Sequence, residues 1–331
     1  MQRFPVSPDR DLLARLGAGP VSGADLARES GLTRAAMWKR IEALREAGVD
    51  IQARAGEGYA LAEPPDWLDA AAVRDALPAR LRPGLAALEV AWSLDSTNSE
   101  LLRRDTPARG VAVLLAERQT GGRGRRGRAW ASPLAAHVYL SLARQFSGGL
   151  ARLGGLSLVT GVAAAEALRA LGFANVQLKW PNDLVVGSGA ELRKLGGVLV
   201  EGGGEHAGPA RAVAGLGINV RMPAAFGARI DQPWIDLQAL ANPPGPRNRI
   251  VVALLAALLP AFDEFDAEGL APFLPRYAAL DALAGREVAV HEGTGVRHGI
   301  ALGVAEDGAL RVDMGGVVQK LYAGDVSVRR R

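Results

Sequence analysis

Between residues 122 and 128 four arginines alternate with three glycines, as Gly122-Arg123-Gly124-Arg125-Arg126-Gly127-Arg128. Glycine leaves backbone N–H groups bare and turns freely, while arginine carries a permanent, planar positive charge that matches oxyanions. The stretch is therefore suited to phosphate or carboxylate. Its charge is local: from Arg103 to Arg128 eight arginines face two acids, Asp105 and Glu117, an excess of +6 in a chain that nets only +4. The spacing Gly122-x-Gly124-x-x-Gly127 also satisfies a dinucleotide fingerprint. That reading fails on context, since Ala129-Trp130-Ala131-Ser132-Pro133 cannot open the helix the fingerprint needs. The bland alternative is a solvated basic surface loop.

Three more clusters argue against that alternative. Lys179-Trp180-Pro181-Asn182-Asp183 puts a cation, an amide and a carboxylate at the end of an apolar run, a set suited to nucleotide phosphate with Asp183 placed to help hold Mg2+. Lys194-Leu195-Gly196-Gly197-Val198-Leu199-Val200-Glu201 enters a second apolar run whose hairpin partner ends in Gly217-Ile218-Asn219. Asp95-Ser96-Thr97-Asn98 offers small hydroxyl and amide groups at a strand-to-helix junction, where a compact polar ligand head would fit, although such a tetrapeptide also serves as a plain helix cap. The chain has only four lysines among 39 basic residues, and two of them, Lys179 and Lys194, lie in these motifs; of its six asparagines, Asn98, Asn182 and Asn219 do. Residues this scarce, gathered at strand ends, favour one composite site.

Elements must exist to bring these clusters together. Val111 to Ala116 and Val138 to Ala143 read as buried strands framing the arginine loop, Leu88 to Trp92 as a strand before Asp95, and Leu153 to Leu171 as an apolar helix. Asp69 to Leu81 reads as one helix, Val185 to Arg193 as a mobile loop around Gly187-Ser188-Gly189, and Arg249 to Leu280 as helical. From Gly285 onward, alternating segments punctuated by Asp307-Gly308 and Gly315-Gly316 predict a small closed or half-closed barrel, followed by a solvated basic tail, Ser327 to Arg331. At the other end, three amphipathic helical patterns are followed by a short hairpin around Arg54 to Gly58. Thr33 is the N-cap candidate of the third helix, which places Met37, Ile41 and Leu44 on one face and leaves Arg34, Trp38, Lys39 and Arg45 outside it. This predicts a winged helix whose third helix enters a major groove. Residues 1 to 62 hold nine basic side chains against eight acids, so one copy binds DNA weakly and a dimer is the physical remedy.

At 331 residues with 49% hydrophobic content, two or three domains are expected, divided as 1–63, 64–282 and 283–331. Zero cysteines exclude disulfides and thiolate chemistry, and the four histidines lack close metal-ligand spacing. The opening M-Q-R-F-P-V-S-P has no apolar signal core, so a cytoplasmic protein without a membrane segment is expected.

Taken together and in order, G-R-G-R-R-G-R-A-W, K-W-P-N-D and K-L-G-G-V-L-V-E followed by G-L-G-I-N, behind a winged helix and ahead of a small barrel, resemble a biotin protein ligase of the bifunctional type that also represses the biotin operon. The resemblance spans nearly the whole chain. It implies an α+β protein: an N-terminal winged helix-turn-helix, a central mixed-sheet α/β ligase domain and a C-terminal SH3-like β-barrel. It also implies an enzyme that joins biotin to ATP as biotinyl-5′-AMP, with Mg2+, and then passes biotin to a lysine of the biotin carboxyl carrier protein of acetyl-CoA carboxylase. Operator DNA and a homodimer formed on adenylate binding come with the repressor role. By motif, Ser96, Thr97, Asn98, Gln119, Arg123, Gly124, Arg125, Lys194, Gly197 and Gly217 would serve biotin. Arg123, Arg128, Trp130, Lys179, Asn182, Asp183, Asn219 and Arg329 would serve the adenylate. Lys194, Arg123, Lys179 and Asp183 would carry the chemistry. Ala129 stands where the best-known repressor has lysine, and Ala135 where the family has glycine; neither carries an assigned group. Met37-Trp38 makes the reading helix bulkier than the family's.

Rival readings are a ligase with a head that does not bind DNA, a lipoate-type ligase, a regulator whose pocket has lost catalysis, and a nicotinamide dehydrogenase. The intact Lys194, Asn182 and Asp183 oppose loss of catalysis, and Lys179 to Asp183 together with the winged head opposes lipoate.

Overall fold

The computed structural model describes Phe4 and residues 7–147, 149–187, 191–204, 209–241, 245–292, 295–322 and 326–330. The head is built of α1 (Pro8–Gly17), α2 (Gly23–Glu29), α3 (Arg34–Glu46) and the hairpin β1 (Ile51–Arg54) with β2 (Gly58–Leu61). Each helix opens on a hydroxyl cap: Ser7, Ser22 and Thr33 accept the N–H groups of Asp9, Asp25 and Ala36. Met37, Ile41 and Leu44 fill the core that α3 shares with Leu13, Leu16 and Leu26.

Asp69 then caps α4 (Ala70–Ala76) by accepting two N–H groups. The single helix expected to reach Leu81 stops there, because Pro78 cannot continue it, and a short 3-10 segment leads into β3 (Leu85–Leu94). After α5 (Thr97–Arg103), β4 (Val111–Gln119) and β5 (Val138–Phe146) frame the arginine loop. Helix α6 (Leu156–Ala170) is followed by β6 (Val176–Lys179), β7 (Asp183–Val186), β8 (Arg193–Gly204) and β9 (Ala210–Ile218). Val185, Val186 and Arg193, expected in a mobile loop, lie instead in β7 and β8, where their backbone groups pair; residues 188–190 of that loop lie outside the described residues. The seven strands form one mixed sheet in the order β3-β4-β5-β9-β8-β7-β6, with only the β3–β4 pair parallel.

Alternation along β4 explains the layers. Val113 and Leu115 join the large core beneath α6, whereas Leu114 and Ala116 join a small cluster with Leu101 of α5 on the opposite face. The short helices α7 (Ala224–Gly227) and α8 (Leu237–Leu240) precede α9 (Arg247–Glu268) and α10 (Phe273–Ala278). The helical stretch expected from Arg249 to Leu280 is thus two helices, separated at Gly269. Among the described residues, one helical window, Leu153–Ala170, is long and apolar enough to cross a membrane, and 72% of it is buried in this core.

The C-terminal strands β10 (Glu287–Glu292), β11 (Gly295–Val304), β12 (Leu310–Asp313), β13 (Val318–Leu321) and β14 (Val326–Arg330) form a five-stranded antiparallel sheet in the order β13-β12-β11-β10-β14. Most of the basic tail forms strand β14, whose backbone pairs with β10, Arg329 opposite Ala289. Backbone ladders accept any residue with an N–H, so charge did not prevent it.

The parts are joined by specific contacts. Arg247 and Glu117, 2% and 4% exposed, form an ion pair at 2.7 Å. Arg247 also donates to the carbonyls of Asp66 and His137, while the other Glu117 oxygen accepts the Leu68 N–H. The segment leaving the head is thereby fixed to the sheet. Leu134 is buried in the core of the head and donates its N–H to the Ala47 carbonyl, the C-cap of α3, at 2.7 Å. Next to it, Ala135 adopts φ +55°, a left-handed conformation that favours glycine. Trp180 donates to the Gly308 carbonyl and so ties the β6–β7 turn to the C-terminal sheet.

His137 is wholly buried, accepts the Val220 N–H at Nδ1, and is pushed by burial down to about 3. The unfolded chain takes up a proton near pH 6.5 that the folded protein refuses, so stability falls as pH drops through that window. Between about pH 7 and about pH 5, His137→Asn is expected to remove about 2 kcal/mol of this loss, read from urea unfolding of both proteins at both pH values. Parallel pH slopes for the two proteins would refute the assignment.

Candidate active site and DNA-facing helix

Ser96 caps α5, and Ser96, Thr97 and Asn98 are all buried at the helix start. Gln119, at the end of β4, accepts from the Thr97 N–H at 2.9 Å and from its hydroxyl at 3.2 Å. Ser141 of β5 lies with its hydroxyl 2.7 Å from that of Thr97 and 2.6 Å from the Asn98 side-chain oxygen. Asn98 donates in turn to the Leu199 carbonyl and to Glu201 Oε2, at 3.1 and 2.8 Å. A continuous polar chain thus crosses the centre of the sheet. Gly215 permits it, because a Cβ there would stand 2.2 Å from Asn98 Oδ1.

The arginine loop closes on itself: Gly124 N–H donates to the Arg128 carbonyl and Trp130 N–H to that of Gly122, at 2.7 and 2.9 Å. Arg123 reaches Ser99 Oγ at 2.5 Å and Glu201 at 2.9 Å. Arg125 reaches Asn182 Oδ1 at 3.3 Å. Burial, then the Arg126 charge, pushes the Arg125 guanidinium down, with Asp183 pulling the other way and Arg128 adding to the repulsion. An anion placed here relieves that conflict. Arg126 and Arg128 are exposed at the tip.

On the far side, Lys194 Nζ sits 2.6 Å from Asp183 Oδ1 and 5.4 Å from the centre of the Trp130 ring. Gly217 lets the indole lie against β9, since a Cβ there would come within 2.8 Å of it. Asn182 donates to the Val198 carbonyl at 2.7 Å, so its amide braces β8 as well as meeting Arg125. A cleft of about 330 Å³ opens beside it, lined by Arg125, Ser157, Trp180, Asn182, Val198 and Val200. Asn219 is buried and donates to the Ile235 carbonyl at 3.1 Å, while its N–H goes to Leu195, so it holds the backbone on both sides of Lys194. Lys179 lies half-buried at the end of β6, in register with Asp183. Gly197 pairs with Gly217 across β8 and β9, directly beside Lys194. The side chain of Arg329 lies outside the described residues.

The fold therefore gathers the four sequence clusters at one end of the sheet. It adds Glu201, Ser141 and Ser99, which the sequence reading gave no role. Ser141 had a signal, a lone hydroxyl inside the apolar run V-Y-L-S-L-A; Glu201 had one too, an acid ending a buried strand.

On the head, Arg34, Lys39 and Trp38, the last 53% exposed, line the outer face of α3. Arg45 does not join them. Its Nε donates to the Ile51 carbonyl at 2.8 Å, its Nη1 meets Glu42 at 2.6 Å, and its guanidinium lies over the Tyr59 ring, so it braces the wing against the helix. The periodicity of α3 places Arg45 outside the apolar stripe, but the wing covers that flank.

Comparison with known proteins agrees with this arrangement. Residues 10–60 match an HTH domain, 90–219 the biotin/lipoate A/B protein ligase family, and 284–329 the biotin protein ligase C-terminal domain. The chain is 40% identical over 309 residues to the bifunctional ligase/repressor BirA of Salmonella typhimurium, covering 93% of both chains, and 39% identical over 319 residues to that of Escherichia coli, covering 96% of both. In fold it is similar to a biotin protein ligase from Aquifex aeolicus in complex with biotin and ATP, with a TM-score of 0.60 and 24% identity over 75% of this chain and 99% of that one. With such relatives aligned along almost its entire length, the chain belongs to the bifunctional biotin ligase/repressor family.

Proposed function

We propose that the clustered site makes biotinyl-5′-AMP and hands its biotin to a lysine of the biotin carboxyl carrier protein of acetyl-CoA carboxylase, and that the adenylate-loaded protein dimerises and represses through α3. The observation that carries the enzymatic reading is Lys194 held 2.6 Å from Asp183 and 5.4 Å from the centre of the Trp130 ring. In the first step a biotin carboxylate oxygen attacks the α-phosphorus of ATP and the bond to pyrophosphate breaks. In the second, the carrier amine attacks the acyl carbon, AMP departs and the amine loses a proton. No covalent enzyme intermediate is needed, so catalysis is positioning plus neutralisation of developing charge.

Residue by residue, the α5 start with Gln119 suits the polar head of biotin, and the amides and guanidinium groups at Arg123 to Arg125 suit its carboxylate. Lys194 stabilises the oxygens of the forming anhydride. Lys179, Asn182, Arg125 and Arg128 serve the nucleotide phosphates, and Trp130 covers the adenine. The Trp130 Nε1–H, buried and without an acceptor among the described residues, is consistent with a site completed by ligand. Mg2+ fits as an ion held chiefly by substrate phosphates, because Asp183 supplies a carboxylate while no group of three metal-ligating side chains gathers among the described residues. Bound beside Asp183, it would neutralise charge on the pyrophosphate.

With biotin and MgATP the protein is expected to release pyrophosphate and label the carrier, whereas lipoate in place of biotin supports neither; carrier labelling with lipoate alone would overturn the substrate assignment. For the head, Arg34, Trp38 and Lys39 offer two charges and one aromatic surface to a groove, too few for tight binding by one copy. A palindromic fragment from the biotin-synthesis promoter should therefore be bound well only after loading with biotin and MgATP. Equal failure of the loaded and unloaded forms would leave a ligase without a repressor.

A further inference from the structure

Among the described residues of the head, two large apolar side chains are exposed, Leu32 at 38% and Trp38 at 53%. Trp38 stands in the second turn of α3, and the packing of the head does not call for it, because Met37, Ile41 and Leu44 fill the core from the opposite side of the helix. A single exposed ring says little by itself; its surroundings decide. Arg34 and Ala35 lie one turn before it on the same face and Lys39 beside it, all exposed. The first turn of α3 holds no acid, Arg40 is drawn back to Asp9 at 2.6 Å, and the first acid along the helix, Glu42, is taken up by Arg45 at 2.6 Å. The ring thus sits between two exposed cations, with no carboxylate on the helix before Glu42. On one side it borders a cleft of about 460 Å³ that Ser22, Arg34, Met37 and Tyr59 also line, so the head leaves that side of the indole open.

Cations on a helix face suit the phosphates at the edges of a groove, and such contacts carry no sequence information. The apolar ring between them needs a different partner. The edges of the bases in a major groove are donors and acceptors, with one apolar feature, the C5-methyl group of thymine. From this we infer that Trp38 is a specificity-determining residue for operator binding: its ring packs on thymine methyl groups in the major groove, so that thymine is selected at the positions facing the second turn of α3. Arg34 and Lys39 supply attraction that is common to all sequences. The inference rests on the repressor reading of α3 and deepens it by naming the chemistry that the helix reads.

The test compares two versions of the palindromic fragment from the biotin-synthesis promoter, one with thymine and one with uracil throughout, which differ only in the C5-methyl groups. Each is titrated with the full-length protein loaded with biotin and MgATP, at one salt concentration. The unaltered protein is expected to bind the uracil fragment about tenfold more weakly, the scale of one lost base contact. Trp38→Ala should bind the thymine fragment about tenfold more weakly than the unaltered protein does, and should no longer distinguish the two fragments, since removing the ring and removing the methyl delete one interaction. Trp38→Phe keeps an apolar ring without the indole N–H and should retain most of the preference for thymine. Because each protein is read against itself on two fragments, any unfolded protein weakens both titrations alike and leaves their ratio intact. Equal binding of both fragments by the unaltered protein, or the full preference surviving in Trp38→Ala, would overturn the methyl contact while leaving the repressor reading in place. Loss of the preference in Trp38→Phe would mean that it does not arise from an apolar contact, and would overturn the inference in the same way. Binding of neither fragment by the loaded protein would remove the repressor reading and the contact together.

Discussion

Lys194→Ala is expected to slow biotinyl-adenylate formation about 100- to 1000-fold, the range found when one preorganised donor is removed from a charge-stabilising site. The lysine is held between the Asp183 carboxylate and the face of Trp130, with Gly197 leaving room at its side. It therefore presents a fixed ammonium to incoming anions and has little to reorganise as charge develops. Lys194→Arg keeps the charge but not the compact shape, so a partial defect is expected of it. Single-turnover pyrophosphate release at saturating biotin and ATP reads the chemical step directly. Adenylation at the parent rate in Lys194→Ala would remove this residue from the mechanism. Because the alanine variant leaves Asp183 without its partner, an unchanged urea-unfolding midpoint in Lys194→Ala serves to separate a lost catalytic charge from a structural effect of the stranded carboxylate.

The largest effect on stability is expected at Arg247. Arg247→Met leaves the Glu117 carboxylate buried and uncompensated, and strips donors from the Asp66 and His137 carbonyls, which predicts a loss of about 3–5 kcal/mol in urea unfolding. Adding Glu117→Gln should recover part of that loss, since the amide keeps an acceptor for the Leu68 N–H and removes the isolated charge. A loss below about 1 kcal/mol in the single variant would mean that the pair is solvated in a way its burial contradicts.

The clustering of the candidate site was legible because many of its residues are rare or out of character where they stand. Lys179 and Lys194 are conspicuous in a chain that otherwise uses arginine, and the arginine loop is conspicuous in a chain of nearly balanced charge. Glu201 and Ser141 escaped because their meaning lies in register. Gly197 opposite Gly217 and Val138 opposite Ile218 decide which side chains share the middle of the sheet, and spacing along one strand says nothing about that. Arg45 was misplaced for a related reason: helical periodicity gives a face, but the wing that covers the face is a tertiary contact. In the fold, element type was readable from periodicity. The ends of elements were set by Pro78 and Gly269, local signals that a periodicity reading passes over, and by the pairing of β14, which no local propensity announces.

Leu134 has a consequence for modularity. In sequence it follows the arginine loop by a few residues, yet in space it completes the core of the head and is bonded to the end of α3. The seam between head and catalytic body therefore does not coincide with any single cut in the chain. A head exchanged for another by recombination near residue 63 would arrive with a hole where Leu134 belongs, or would meet a leucine shaped for a different host. Successful chimaeras should be those that transplant Pro133 and Leu134 together with the head, and a catalytic body released alone would carry a greasy scar beside its own arginine loop.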